Sequence, residues 1–194
     1  MTSVHDSATA QPSADSKHTA RVARLWQTKL EPAITEIFDT GRGLDFPSYT
    51  SFYTDVYNCC TTTPAWEQAS DLYSRIAPFF EAYTAKIYGD APGDDALLVD
   101  YYDSQWDRFH QGAMVVDRLF AYLNRYFILP EYDSGHKDIV PVLNVAIAKW
   151  KMQVFEPLLP RLESAIAPLK AIQDEFASGN FTAAKLKEMR IRAA

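Results

Sequence analysis

Cysteine is scarce: Cys59 and Cys60 are the only two in 194 residues, and neighbours in sequence do not form an ordinary bridge with each other. A disulfide framework is therefore excluded, and two thiols within an apolar helical segment fit a reducing compartment. Glycine is scarce too, with seven, and apolar–polar alternation of period two is hard to find, so sheet architectures are not expected. Lys and Arg (19) fall short of Asp and Glu (25), and a net charge of −6 argues against a general nucleic-acid binder. Lys185, Lys187, Arg190 and Arg192 gather on a short amphipathic piece that reads as a solvated helix face. No apolar run approaches the ~20 residues that span a bilayer. The opening MTSVHDSATAQPSADSKH has no apolar core flanked by positive charge, so it is not read as a secretory signal. A soluble protein of the cytoplasm or nucleus is expected.

Catalytic patterns are missing as well. There is no Gly-rich phosphate loop, zinc spacing or nucleophile elbow. Asp94-Asp95 followed by Leu98 lacks the third acid of an isoprenoid-synthase metal motif and reads as loop acids. Asp107-Arg108-Phe109-His110 is the nearest approach to the Glu-x-x-His of a di-iron bundle, and His110 alone reads as a surface or capped histidine. Cys59 beside Cys60 reads as core filler more readily than as a redox pair. No catalytic residue, metal site or cofactor is expected, and the chain is not read as an enzyme.

What is abundant is apolar: hydrophobic residues make up 47% and aromatics 13%, enough for a real core. Residues 1–18 are rich in Ser, Ala, Thr and Asp and are expected to be a disordered tail. From Thr19 a helical pattern runs to Gly41, with Pro32 as a candidate kink. Ser48 is the expected N-cap of a second helix, whose stripe is Tyr49, Phe52, Tyr53, Val56, Tyr57 and Cys60. A third helix is predicted over about 69–88, irregular at Pro78, and a fourth opens near Asp95 after a loop. The stretch Trp106–Ile128 repeats apolar residues at Trp106, Phe109, Ala113, Val116, Phe120, Leu123 and Phe127. That spacing predicts one long helix, or two broken near Gly112, with Trp106 in the helix–helix core. Arg118, Tyr122, Arg125 and Tyr126 fall largely off the stripe, which suits a protein-binding surface. After a loop over 130–137, another helix starts at Asp138, Pro157 and Pro160 interrupt, and 162–176 is amphipathic. Seven or eight helices with short links predict an all-α, α-solenoid-like bundle.

Two segments carry a family likeness. Phe52-Tyr53-Thr54-Asp55-Val56-Tyr57-Asn58-Cys59-Cys60-Thr61 resembles the Leu-Tyr-Thr-x-Val-Tyr-Asn-Tyr-Cys-Thr typical of SCF-type cullins, scaffold subunits of ubiquitin ligases. Tyr122-Leu123-Asn124-Arg125, following Trp106-Asp107-Arg108-Phe109, resembles the same N-terminal cullin region, as does Asp133-Ser134-Gly135-His136-Lys137. The resemblance implies a first five-helix cullin repeat over 19–155 and the opening of a second over 156–194. It also implies a scaffold whose second and fifth helices bind an SCF-type adaptor carrying an F-box substrate receptor. The positions matching that contact are Tyr49, Thr50, Phe52 and Tyr53 on one helix, and Tyr122, Arg125 and Tyr126 on the other. Thr50 stands where SCF-type cullins usually carry methionine, and Tyr126-Phe127-Ile128-Leu129-Pro130 replaces the usual His-Trp-Val-Arg-Arg. The RING-binding and modifier-accepting region of a whole cullin does not fall within these residues. Two other readings of the same sequence are a stand-alone competitor for adaptors and a helical bundle binding an apolar ligand or another helical partner.

Overall fold

Prolines are the first test of the helical reading, because each lacks an N–H and crowds the carbonyl four residues back. In the computed structural model, which describes residues 14–177, Pro32, Pro130, Pro157, Pro160 and Pro168 are absorbed rather than obeyed. Helix α1 covers 14–40 as Ala14–Leu25, a π turn Trp26–Leu30 and Glu31–Thr40. Pro32 sits two residues past that π turn, and the wider turn relieves the crowding at the Thr28 carbonyl. The device recurs twice. The π turn Asn124–Ile128 precedes Pro130, and the π turn Lys151–Phe155 precedes Pro157. Pro157 and Pro160 therefore do not interrupt the last helix as expected, and Pro160 and Pro168 lie inside it.

The remaining elements are α2 (Phe46–Thr61), α3 (Ala65–Ser74), α4 (Ile76–Gly89), α5 (Asp95–Leu119), α6 (121–133) and α7 (142–177). Among the described residues that makes seven helices and no strand. Pro78 does break a helix: the predicted span over 69–88 parts at Arg75, so that no helical N–H is required of Pro78. The division expected at 155/156 falls inside α7, where the chain stays helical. Of the expected disordered tail, residues 14–18 are helical and 1–13 lie outside the described residues, as do 178–194 with their basic cluster.

The long central helix also differs from expectation. It runs unbroken through Gly112 and breaks instead at Phe120 (φ −90°, ψ 17°). Leu119 and Phe120 are both fully buried on either side of this break. Gly112 has a different purpose. A Cβ built on it would stand 2.6 Å from the Phe38 ring, so glycine is what lets α1 and α5 close on each other. Gly112→Ala should lower stability by about 1–3 kcal/mol. Gly89→Ala, where nothing lies within 4 Å, is the matched control, and denaturant titration of both checks the difference.

Helices α4 and α5 pack on α7, α1 on α3 and α5, and α2 on α3 and the α5–α6 corner. At the centre the Phe109 ring lies 5.4 Å from Phe38, 6.1 Å from Phe80 and 4.9 Å from Trp150. Trp106 is only half-buried at the margin of this cluster, stacked on His110 at 5.2 Å, so it is not the core residue its spacing predicted. No described helix is long and apolar enough to cross a membrane.

Candidate functional site: a tyrosine row across two helices

The phase of α2 is set at its first turn. Asp45, not Ser48, is the N-cap: its Oδ1 accepts a hydrogen bond from the Ser48 N–H at 2.8 Å, with Pro47 in the first turn. The Ser48 side chain, and then this N–H, hold the Asp45 carboxyl below its usual range. With this phase the aromatic stripe divides. Phe52, Val56 and Cys59 are buried, whereas Tyr49 and Tyr53 sit half-buried at the edge and Tyr57 is exposed. Cys59 and Cys60 are not poised for chemistry: burial raises both thiols, Cys60 to about 12, and leaves them protonated.

On α6 the break at Phe120 and the π turn together fix which residues face out. Leu123, Phe127 and Ile128 are buried, Tyr122 is half-buried, and Arg125 and Tyr126 are exposed. Asn124 is the anchor of this segment. Its Nδ2 donates to Asp117 Oδ1 at 2.8 Å and its Oδ1 accepts from the Val142 N–H at 3.1 Å. Asp117 Oδ1 accepts the Leu143 N–H at 3.1 Å, so two side chains from α5 and α6 cap the start of α7.

The two helices bring five tyrosines into one row. Tyr49 stacks on Tyr53 (6.0 Å between centroids, 15° between planes), and Tyr53 meets Tyr122 at 5.0 Å. Tyr57 meets the same ring edge-on at 4.8 Å, and Tyr126 stacks on Tyr122 at 5.5 Å and 14°. The Arg125 guanidinium lies 5.5 Å from the Tyr126 centroid. The Tyr53 phenol, then partial loss of water, holds the Tyr122 hydroxyl above its ordinary value, so it stays a neutral donor. Arg118 and Arg125 also border an open groove of about 730 Å³ with Leu129 and Tyr132. Among the described residues no group of His, Cys, Asp or Glu is placed to hold a metal. An open row of rings with wet hydroxyls has the composition of a protein contact surface.

The cullin α-solenoid domain family matches this sequence over residues 27–189, most of its length. The chain belongs to the cullin family. It is 30% identical over 147 residues to Cullin-1 of Caenorhabditis elegans, covering 62% of this chain and 19% of that one. Cullin-1 of Dictyostelium discoideum is 26% identical over 172 residues, covering 79% and 22%. Cell division control protein 53 of Saccharomyces cerevisiae is 25% identical over 124 residues, covering 56% and 15%. The matched part is thus about a fifth of those relatives' length.

Within this cullin segment the structure gathers Tyr49, Tyr53, Tyr122, Arg125 and Tyr126 on one surface, with Thr50 exposed one turn from Tyr53. Phe52 does not join them. It is 3% exposed and meets Phe120 edge-on at 5.3 Å, so it supports the row from beneath and offers no contact surface. Tyr57 does join, 41% exposed, although the docking set read from the sequence leaves it out. Its i, i+4 spacing from Tyr53 is the signal that includes it.

Proposed function

We propose that this cullin segment is a non-catalytic scaffold piece of an SCF-type cullin–RING ubiquitin ligase, working in the cytoplasm or nucleus. It docks the adaptor of an F-box substrate receptor on the tyrosine row of α2 and α6. The observation that carries this reading is the row itself: five rings in contact along two helices, left open by a fold that buries thirty other apolar side chains among the described residues. Tyrosine suits the role because its ring gives a large contact area at the cost of two χ angles, with a hydroxyl that bonds across the interface. The similarity to Cullin-1 of two organisms supports an adaptor of the SCF type.

Titration of a purified SCF-type adaptor, bound to an F-box segment, onto the 194-residue chain tests the assignment. Binding at micromolar concentration or tighter is expected. No binding in that range overturns the choice of adaptor.

A further inference from the structure

Away from the tyrosine row, the first turns of α5 and the later half of α7 line an open groove of about 660 Å³. Its floor is apolar, with Tyr102 from α5 and Phe155, Leu159 and Ile166 from α7. On α7 the apolar stripe outruns its cover. Leu158 and Leu162 are buried, and Ile166, one turn further on, is left 42% exposed. The rim of the groove is acidic. Asp100 and Asp103 on α5 and Glu163 on α7 are exposed, and none of them is in an ion pair among the described residues. Lys170, furthest along α7, is the one cation of the lining. An apolar floor between acidic edges on two helices has room for a further helix of the opposite charge.

The sequence that follows α7 has that charge. From Phe181 to Ala194 it carries Lys185, Lys187, Arg190 and Arg192 against the single acid Glu188. At helical spacing Thr182, Leu186, Met189 and Ala193 share one face, with Lys185 and Arg192 along one edge and Arg190 along the other. A narrow apolar stripe between two basic edges is the complement of an apolar floor between two acidic ones. Its reach fits as well. Gly179-Asn180 supplies a turn signal, and a helix over 181–194 is about 21 Å long at 1.5 Å per residue. Run back from the end of α7, that length passes Lys170 and Ile166 and arrives at Glu163. Asp100 and Asp103 then attract Arg190 and Arg192 through space, over the ~10 Å that 0.1 M salt permits.

We infer that the groove between α5 and α7 is the seat of residues 181–194 of the same chain, held apolar face down by the acids of its rim. The basic segment is then an electrostatic latch over the end of the apolar stripe. Its hold weakens as salt screens the charges, while the tyrosine row, built on other helices, is untouched.

Amide hydrogen exchange over 181–194, read by mass spectrometry on the 194-residue chain and on a synthetic peptide of the same segment, tests it. In low salt the chain's amides should exchange about tenfold more slowly than the peptide's, and about 1 M salt should remove most of that protection. Ile166→Asp, which breaks the floor, and Asp100→Lys with Glu163→Lys, which reverses the rim, should each give peptide-like exchange. All three positions are exposed, so the fold survives these changes, which circular dichroism checks. Adding Arg190→Glu and Arg192→Glu to the reversed rim should bring the protection back, a rescue that a merely loosened helix end does not give. Peptide-like exchange in the wild-type chain overturns the proposal, as does protection that neither variant removes. Protection that grows with protein concentration overturns it in favour of the groove of a second copy.

Discussion

Phe109→Ala should lower stability by about 3–5 kcal/mol, the range expected for emptying a fully enclosed aromatic site. Against a typical domain stability of about 5–15 kcal/mol, that change leaves the fold marginal or lost. The reason is position: Phe109 is 1% exposed and touches rings from α1, α4 and α7 at once. No single helix can relax into the space it leaves without parting from the other two. Trp106→Ala is the comparison. That ring is larger but half-buried, its neighbours are His110 and Trp150, and water can fill part of its site. Its loss should cost roughly half as much, and chemical denaturation of the two variants side by side gives the ranking.

Asn124→Ala should cost on the order of 2–3 kcal/mol, a large effect for a side chain that is not fully buried. The amide is shared between two partners. Its removal strips the Val142 N–H of its acceptor at the start of α7 and leaves Asp117 with one donor fewer. The charged partner makes the loss heavier than that of a neutral pair. A drop in melting temperature, with helical content unchanged at low temperature, is the expected result. A variant as stable as wild type would show that the cap of α7 is satisfied some other way.

These residues also show what the sequence makes legible. The spacing of Phe109, Ala113, Val116, Leu123 and Phe127 gives their burial directly, because helical periodicity alone marks one face. It misplaces Trp106, since periodicity assigns a face but not where a neighbouring helix ends. The break at Phe120 has no proline or glycine to announce it, and no local pattern in the sequence marks it. Prolines mislead in the opposite sense: Pro32 looks like a kink and Pro157 like an interruption, and one π turn ahead of each carries the helix through. At the candidate surface the pattern Tyr49, Phe52, Tyr53, Val56, Tyr57 reads as a single stripe about 12 Å long at 1.5 Å per residue. Its division into a core of Phe52 and Val56 and an open row of tyrosines depends on the phase set by Asp45 and on the approach of α6. Asn124 stands in plain view within Tyr122-Leu123-Asn124-Arg125, but its partners lie 7 and 18 residues away and no local pattern names them.

The claim that matters most is that Tyr53 and Tyr122 serve binding and not folding, and one paired measurement addresses it. Their rings meet at 5.0 Å from two different helices, at the middle of the row, where anchors carry the largest share of binding energy. The adaptor with its F-box segment is titrated onto wild type and onto Tyr53→Ala with Tyr122→Ala, and both proteins are melted in the same buffer. The account predicts binding at least tenfold weaker and a melting temperature that holds. Early melting of the double variant, or unchanged affinity, would contradict it.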